Sequence, residues 1–259
     1  MNRTIPRQYA KLVELLELEH PAIVTPASLE PLAREAGVVG DIHLVIHRLA
    51  RRGWLLPAAR GCWEFVPGSR AGAYSSNDPW LQLTGYLIRV PQSPVRIALG
   101  SALYLLDLVA RAPDRGEIAL PPRTRPTHAL GVYRLTRFRA ALPPLIRHRL
   151  PIEAPASILV HLAEQPTDAR SWEAILEAMP ALVAQVEPSA LATELKGRNA
   201  ATRARLGYLL EPYAKHLVLD LAPATGRVTF GPRGPVRRVN TRWRVSDTVL
   251  PRAPGKVPE

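Results

Sequence analysis

Apolar positions in the first 67 residues recur first at helical and then at strand spacing. Residues 8–19 place Tyr9, Leu12, Val13 and Leu16 on one face of a helix. A short β-branched run follows in "AIVT", residues 22–25, and favours one brief strand. Two further apolar runs, "WLLP" and "CWEFV", flank "AARG", which can turn at Gly61. These runs predict a strand between helices and a hairpin near residue 60.

The second helix lies within "TPASLEPLAREAG", residues 25–37, and Pro31 decides its predicted start. A start at Pro26 would place Pro31 in the helix interior, at a cost of about 3 kcal/mol. With Ser28 as the N-cap, Pro31 falls in the first turn, where its missing N–H costs nothing. The sequence therefore predicts a helix that is capped by Ser28 and closed by Gly37.

The third helix is predicted from Asp41, a good N-cap, to Arg52, with Gly53 as its stop. Its apolar side chains fall on one arc, and its opposite arc is basic. The basic arc contains His43, His47, Arg48, Arg51 and Arg52, together with the apolar Leu44.

Helix, strand, helix, helix, strand, turn, strand is the element order of a winged helix-turn-helix. In that fold the third helix enters the major groove of DNA, and the hairpin, or wing, contacts the backbone. We therefore expect His43, His47, Arg48 and Arg51 to read bases. We expect Arg52 and Arg60 mainly to bind phosphates.

Residues 68–79 are small, polar and rich in helix breakers, so we predict a linker there. It would join a DNA-binding domain, residues 1–67, to a second domain, residues 80–259. In the second domain, helical patterns near 79–89 and 98–110 precede strand-like runs at 117–121 and 131–138. Several helices follow between 155 and 216, and the tail returns to strands. The predicted fold class is therefore α+β, with a winged helix-turn-helix followed by a mixed α/β domain.

The net charge of +12 indicates an anionic partner, which fits nucleic acid. A GC-rich genome alone would explain why Arg outnumbers Lys, but not why bases outnumber acids. The excess lies in the second part of the chain, because residues 1–78 hold 9 basic and 8 acidic residues. We therefore expect the second domain to assist DNA binding.

A stretch without acidic residues, 118–152, supplies the candidate for that assistance. Its arginines either form a secondary basic patch for nucleic acid or an acidic protein, or are ordinary solvated surface residues. They are Arg123, Arg125, Arg134, Arg137, Arg139, Arg147 and Arg149.

Several other classes of site fit the sequence poorly. The single Cys62 excludes an internal disulfide, and His43 and His47 have zinc-ligand spacing but lack a catalytic Glu and a third ligand. "Glu-x-Lys" at 194–196 suits a metal-dependent nuclease only if it lies on a strand, and its pattern is helical. Phosphate-binding loops and serine-nucleophile motifs are absent from the sequence, so we predict neither an enzyme nor a cofactor.

The sequence predicts neither a membrane span nor a secretion signal. The longest apolar run, residues 97–110, is interrupted by Asp107 and is too short for a membrane span. A secretion-signal pattern is also absent, so we expect a cytoplasmic protein.

Several segments resemble the AbiEi-type antitoxins of type IV toxin–antitoxin systems, especially those of actinobacteria. The resemblance runs from about residue 5 to 252 and rests on the order of its segments: "RRGWL", "RGCWEFVP", "DPWLQL", "ALGSALYLLDL", "ILVHLAEQPTDARSW", "RLGYLLE" and "TRWRVSDTVLP".

The resemblance implies an N-terminal winged helix and a C-terminal antitoxin domain that counteracts a nucleotidyltransferase-like toxin, often without a stable complex. It also implies repression of the protein's own promoter through inverted repeats in double-stranded DNA. The recognition helix would be 41–52 and the wing 54–66, and the family supplies no catalytic residue. Two alternatives remain open at this point: a regulator whose second domain senses a small ligand, and a nuclease.

Overall fold

Residues 4–70 and 78–256 of the chain are described by a computed structural model, in which helices and short strands combine in an α+β fold. The α-helices are α1 (Ala10–Glu19), α2 (Pro26–Glu35), α3 (Ile42–Arg51), α4 (Leu81–Arg89), α5 (Leu99–Leu105), α6 (Pro155–Glu164), α7 (Trp172–Val183), α8 (Pro188–Leu195) and α9 (Ala200–Leu210). The strands are β1 (Leu55–Ala59), β2 (Cys62–Phe65), β3 (Arg96–Ile97), β4 (Glu117–Leu120), β5 (Arg134–Arg137), β6 (Leu145–Arg147), β7 (Leu150–Ile152), β8 (Val228–Phe230), β9 (Arg238–Asn240) and β10 (Val245–Asp247).

The N-terminal elements follow the order predicted for a winged helix-turn-helix. Helices α1–α3 bury Leu12, Leu16, Leu29 and Leu49 in one core. A single bridge between Val24 and Trp63 joins the short strand to the antiparallel β1–β2 hairpin. The predicted order of elements is therefore confirmed up to residue 65.

Helix α2 begins two residues before its predicted cap, so the prediction of Ser28 as N-cap was wrong. Thr25 caps the helix in a reciprocal pair with Ser28: the Ser28 N–H donates to Thr25 Oγ1 at 3.1 Å, and the Thr25 N–H donates to Ser28 Oγ at 2.9 Å. Pro31 lies inside the helix. The capping box and the burial of Leu29 together offset the hydrogen bond that Pro31 cannot make.

Helix α3 has the predicted bounds and cap. Its N-cap Asp41 accepts a hydrogen bond from the His43 N–H at 2.9 Å. Gly53 follows the helix with a positive φ of 75°, a conformation that favours glycine.

Helix α4 packs on the wing. The Cα of Gly85 approaches β1 so closely that a Cβ there would lie 3.2 Å from Ala59 Cβ and 3.4 Å from Cys62 Cβ. Cys62, Ile23 and Leu81 form a small apolar cluster at this contact. The chain accordingly divides into two compact units, Met1–Ser93 with Thr127–Leu130, and Pro94–Pro126 with Gly131–Glu259. The linker predicted at 68–79 includes residues 71–77, which lie outside the described residues.

The second unit contains two sheets of mixed direction. The larger has the strand order β5-β4-β3-β7-β6, in which β4 pairs parallel with β5 and β3 pairs parallel with β7. The smaller has the order β8-β10-β9. Helix α6, buried along almost its whole length, packs against α8 and α9.

One helix is shorter than its pattern predicts. The prediction of a helix over 98–110 was wrong beyond Leu105, because Leu106 ends α5 and Asp107 adopts a φ of 60°. A left-handed residue interrupts the hydrogen-bond ladder of a right-handed helix.

Candidate nucleic-acid interface

The two faces of α3 differ as the sequence predicts. Val45, Ile46 and Leu49 are buried in the first core. The opposite face is exposed to solvent, including Leu44, and carries His43, His47, Arg48, Arg51 and Arg52.

The basic groups of this face have no carboxylate partner among the described residues. In the described ranges, 4–70 and 78–256, no salt bridge involves the two histidines or the three arginines of α3 and its C-cap. Arg48 is held nonetheless, because its Nη1 donates to the hydroxyl of the buried Tyr9 at 2.9 Å. One nitrogen of Arg48 thus bonds a core residue, whereas no such bond to Arg51 or Arg52 is formed by the described residues.

The wing turns at Arg60 and Gly61, and Gly61 has a positive φ of 72°. Arg60 is exposed at the tip. Beside it, α4 and the 3-10 helix His128–Leu130 border an open cleft of about 470 Å³, to which Arg60, Arg89 and His128 contribute basic groups. No acidic residue lines this cleft among the described residues, so the cleft suits an anion.

Arg89 and His128 are site candidates that the sequence analysis missed. They lie beyond the predicted domain boundary, in segments assigned to the second domain. The glycine in "LQLTGYLIR" was the available signal, since a glycine inside a helix often marks a close approach of another element.

The seven arginines of the predicted secondary patch divide into two groups. Arg134 Nη1 donates to the buried Glu117 carboxylate at 2.9 Å. Arg137 Nη1 donates to the carbonyl oxygens of Thr124, at 2.6 Å, and Pro121, at 3.4 Å. The other five are exposed: Arg123, Arg125, Arg139, Arg147 and Arg149.

A buried polar centre lies inside the second unit. His161 Nδ1 is 2.8 Å from Glu153 Oε1, and its Nε2 is 3.7 Å from Asp168 Oδ2. The ring of Phe138 stacks on His161 with a centroid separation of 4.3 Å. Burial lowers the pKa of His161, but the two carboxylates outweigh it and raise the pKa to about 9. The imidazolium therefore acts as an internal counter-ion.

The nuclease hypothesis finds no support at Glu194. The residue lies on α8, is fully buried, and accepts hydrogen bonds from the N–H groups of Ala141 and Leu142 and from Ser157 Oγ. Its carboxylate thus organises a loop. Across the described ranges, no cluster of three or more His, Cys, Asp or Glu side chains is arranged to hold a metal ion. Within the same residues, each helix is too short or too polar to cross a bilayer.

Comparisons with known proteins agree with the predicted resemblance. Residues 96–212 match the family model of the AbiEi antitoxin C-terminal domain. The crystal structure of the RV2827C protein from Mycobacterium tuberculosis is similar, with a TM-score of 0.78 and 26% sequence identity over 96% of this chain and 94% of that one. No curated protein sequence matches the chain significantly.

Proposed function

We propose that the protein is the DNA-binding antitoxin and autorepressor of a type IV toxin–antitoxin operon, because residues 96–212 match the AbiEi antitoxin C-terminal domain. Its N-terminal unit would bind inverted repeats in the operon's promoter. Its C-terminal domain would counteract a nucleotidyltransferase-like toxin that is encoded beside it. The protein would act by binding rather than by catalysis.

The exposed basic face of α3 supports the DNA-binding part of this proposal most directly. A core-facing or structural role would pair these side chains with acids, yet among the described residues the five basic groups have no carboxylate partner. Arg51 is proposed to read a base edge together with His43, His47 and Arg48. Arg52 and Arg60 are proposed to bind phosphates.

The bond from Arg48 to Tyr9 refines the roles within this face. A guanidinium that is oriented by a buried hydroxyl loses less conformational entropy on binding. Arg48 would therefore contribute a fixed contact, and Arg51 an adaptable one.

The experiment is a binding titration of the full chain on its own promoter and on a scrambled duplex of equal length. Arg51→Ala is expected to lose about 1–3 kcal/mol on the promoter and much less on the scrambled duplex, because a base contact is removed. Arg60→Ala is expected to weaken both duplexes alike and to reduce the slope of log K against log salt by about one.

Arg34→Ala is the matched control, since Arg34 is an exposed arginine of α2 that pairs with Glu30. It should change neither affinity nor salt slope. Equal losses on both duplexes for Arg51→Ala would contradict its role in base readout, and a flat salt dependence of the unaltered protein would contradict the phosphate contacts.

The toxin part is tested by co-expression with the adjacent open reading frame. Growth arrest by that gene, relieved by the full chain but not by residues 1–93 alone, is the expected result. Relief by residues 1–93 would place neutralisation outside the C-terminal domain.

A further inference from the structure

A cavity of about 700 Å³ opens into the second unit between α5, the loop 109–115, the strands β4 and β5, and the start of α7. Its volume falls within the range of small-molecule sites. The sequence offered no sign of it, because its lining comes from five separate segments.

The floor of this cavity contains an ion pair that is satisfied internally. The Glu117 side chain is 3% exposed; its Oε1 accepts from Arg134 at 2.9 Å, and its Oε2 accepts from the Gly100 N–H at 2.8 Å. Both carboxylate oxygens are thus occupied by donors. Glu117 therefore adds little negative potential to the cavity.

The rim carries positive charge that is not compensated. Arg111 and Asp114 lie 3.7 Å apart and balance each other in solvent. Arg115 donates to the carbonyls of Val132 and Gly131, which are neutral groups. Arg170 is exposed and has no ion pair within the part of the chain that the structure describes. The rim therefore carries two positive charges in excess, from Arg115 and Arg170, beside the N-terminal turn of α7.

The walls between rim and floor are apolar. Leu103 and Ile175 are buried core residues that reach the cavity, and Val109, Pro113 and Ala174 complete the walls. An apolar interior beneath a positively charged rim matches a ligand with an apolar body and an acidic head.

We propose that this cavity binds a small amphipathic anion, with an apolar ring system against the walls and one carboxylate, sulfonate or phosphate group at Arg115 and Arg170. The inference does not depend on DNA binding. It gives the C-terminal domain a ligand site of its own.

The test uses the full chain and two fluorescent probes that share a ring system. One is 1-anilinonaphthalene-8-sulfonate, which carries the acidic group, and the other is N-phenyl-1-naphthylamine, which is uncharged. Saturable binding of the sulfonate, at least about tenfold tighter than the neutral probe, is the expected result. Equal affinity for the two probes, or no saturable binding of the sulfonate, would overturn the proposal.

Two variants locate the probe. Ala174→Trp fills the cavity from α7 and should weaken sulfonate binding at least about tenfold. Arg170→Gln should weaken it about fivefold, the upper range of an exposed ionic contact, and leave the neutral probe unaffected. Arg115 is left unaltered because its hydrogen bonds also hold the loop at 131–132.

Matched controls separate a lost site from a misfolded domain. Ala181 lies about two turns after Ala174 on α7, so Ala181→Trp is the control for Ala174→Trp. Arg227 is exposed, so Arg227→Gln is the control for Arg170→Gln. The described lining of this cavity includes neither residue. Both should bind the sulfonate as the unaltered protein does. Unchanged binding by Ala174→Trp, with a circular-dichroism melt like that of Ala181→Trp, would overturn the proposal.

Discussion

Arginine side chains occupy two kinds of environment in this protein: some bond to internal acceptors, and others face solvent. Arg134 pairs with a buried carboxylate and Arg137 with two carbonyl oxygens, so both stabilise the second unit. Arg51 and Arg60 face solvent, and no carboxylate in the part of the chain that the structure describes pairs with either. The sequence shows an acid-free stretch that begins at residue 118, but Glu117 immediately precedes it and pairs across adjacent strands. Such a partner is not visible before strand pairing is known, so composition alone did not separate the two groups.

The buried His161 makes stability depend on pH. Its pKa of about 9 in the folded protein exceeds its ordinary value of 6.5, so the imidazolium stabilises the fold fully below about pH 6.5. Between pH 6.5 and 9 the unfolding free energy should fall by up to about 1.4 kcal/mol per pH unit. Urea titrations across this window measure the slope.

His161→Gln should be less stable at pH 6.5, because Glu153 and Asp168 lose their counter-ion, and its stability should no longer fall over the window. His43→Gln, which alters an exposed histidine, should keep the slope of the unaltered protein. A slope that persists in His161→Gln would show that another group titrates.

At the scale of elements, local signals predicted the position of a helix better than its ends. Asp41 and Gly53 fixed α3 correctly, because cap and stop agree with the apolar period. The predicted start of α2 was wrong, because the Thr25–Ser28 capping pair offsets the cost of Pro31 in the helix interior. The strands β6 and β7 were missed because their hairpin turns at His148 and Arg149, without the glycine or asparagine that usually marks such a turn. The mixed strand order depends on long-range pairing.

The contact between α9 and Trp243 gives a prediction at this scale. A Cβ on Gly207 would lie 2.4 Å from the buried indole ring. Gly207→Ala gains about 1 kcal/mol of helix propensity but must displace the ring, so it should lower the unfolding free energy by about 2 kcal/mol or more.

Gly226→Ala is the control for that substitution, since a Cβ there meets nothing within 4 Å. Chemical denaturation should find its stability close to that of the unaltered protein. A Gly207→Ala variant as stable as Gly226→Ala would mean that the indole moves aside freely.

At the scale of the whole molecule, the first compact unit extends to Ser93, beyond the predicted linker at 68–79. The position of α4 could not be predicted, because its packing on β1 depends on the small Gly85 opposite Ala59. Pattern reasoning places a boundary where the chain becomes polar, whereas packing places α4 with the first unit.

Fragments of the chain test the place of α4. A fragment of residues 1–93 should unfold at higher urea concentration than one of residues 1–78, because the shorter one loses Leu81 and exposes Ile23 and Cys62. The difference should be about 2 kcal/mol or more. In the longer fragment, Gly85→Val should remove most of that gain, and fragments of equal stability would contradict the packing role of α4.

The packing of α4 over the wing has a chemical consequence. Cys62, the only thiol in the sequence, is fully buried beneath Gly85, and burial raises its pKa. An alkylating reagent can reach the sulfur only after the helix has moved away from the hairpin. The rate of alkylation thus measures how often the β1–β2 hairpin separates from α4.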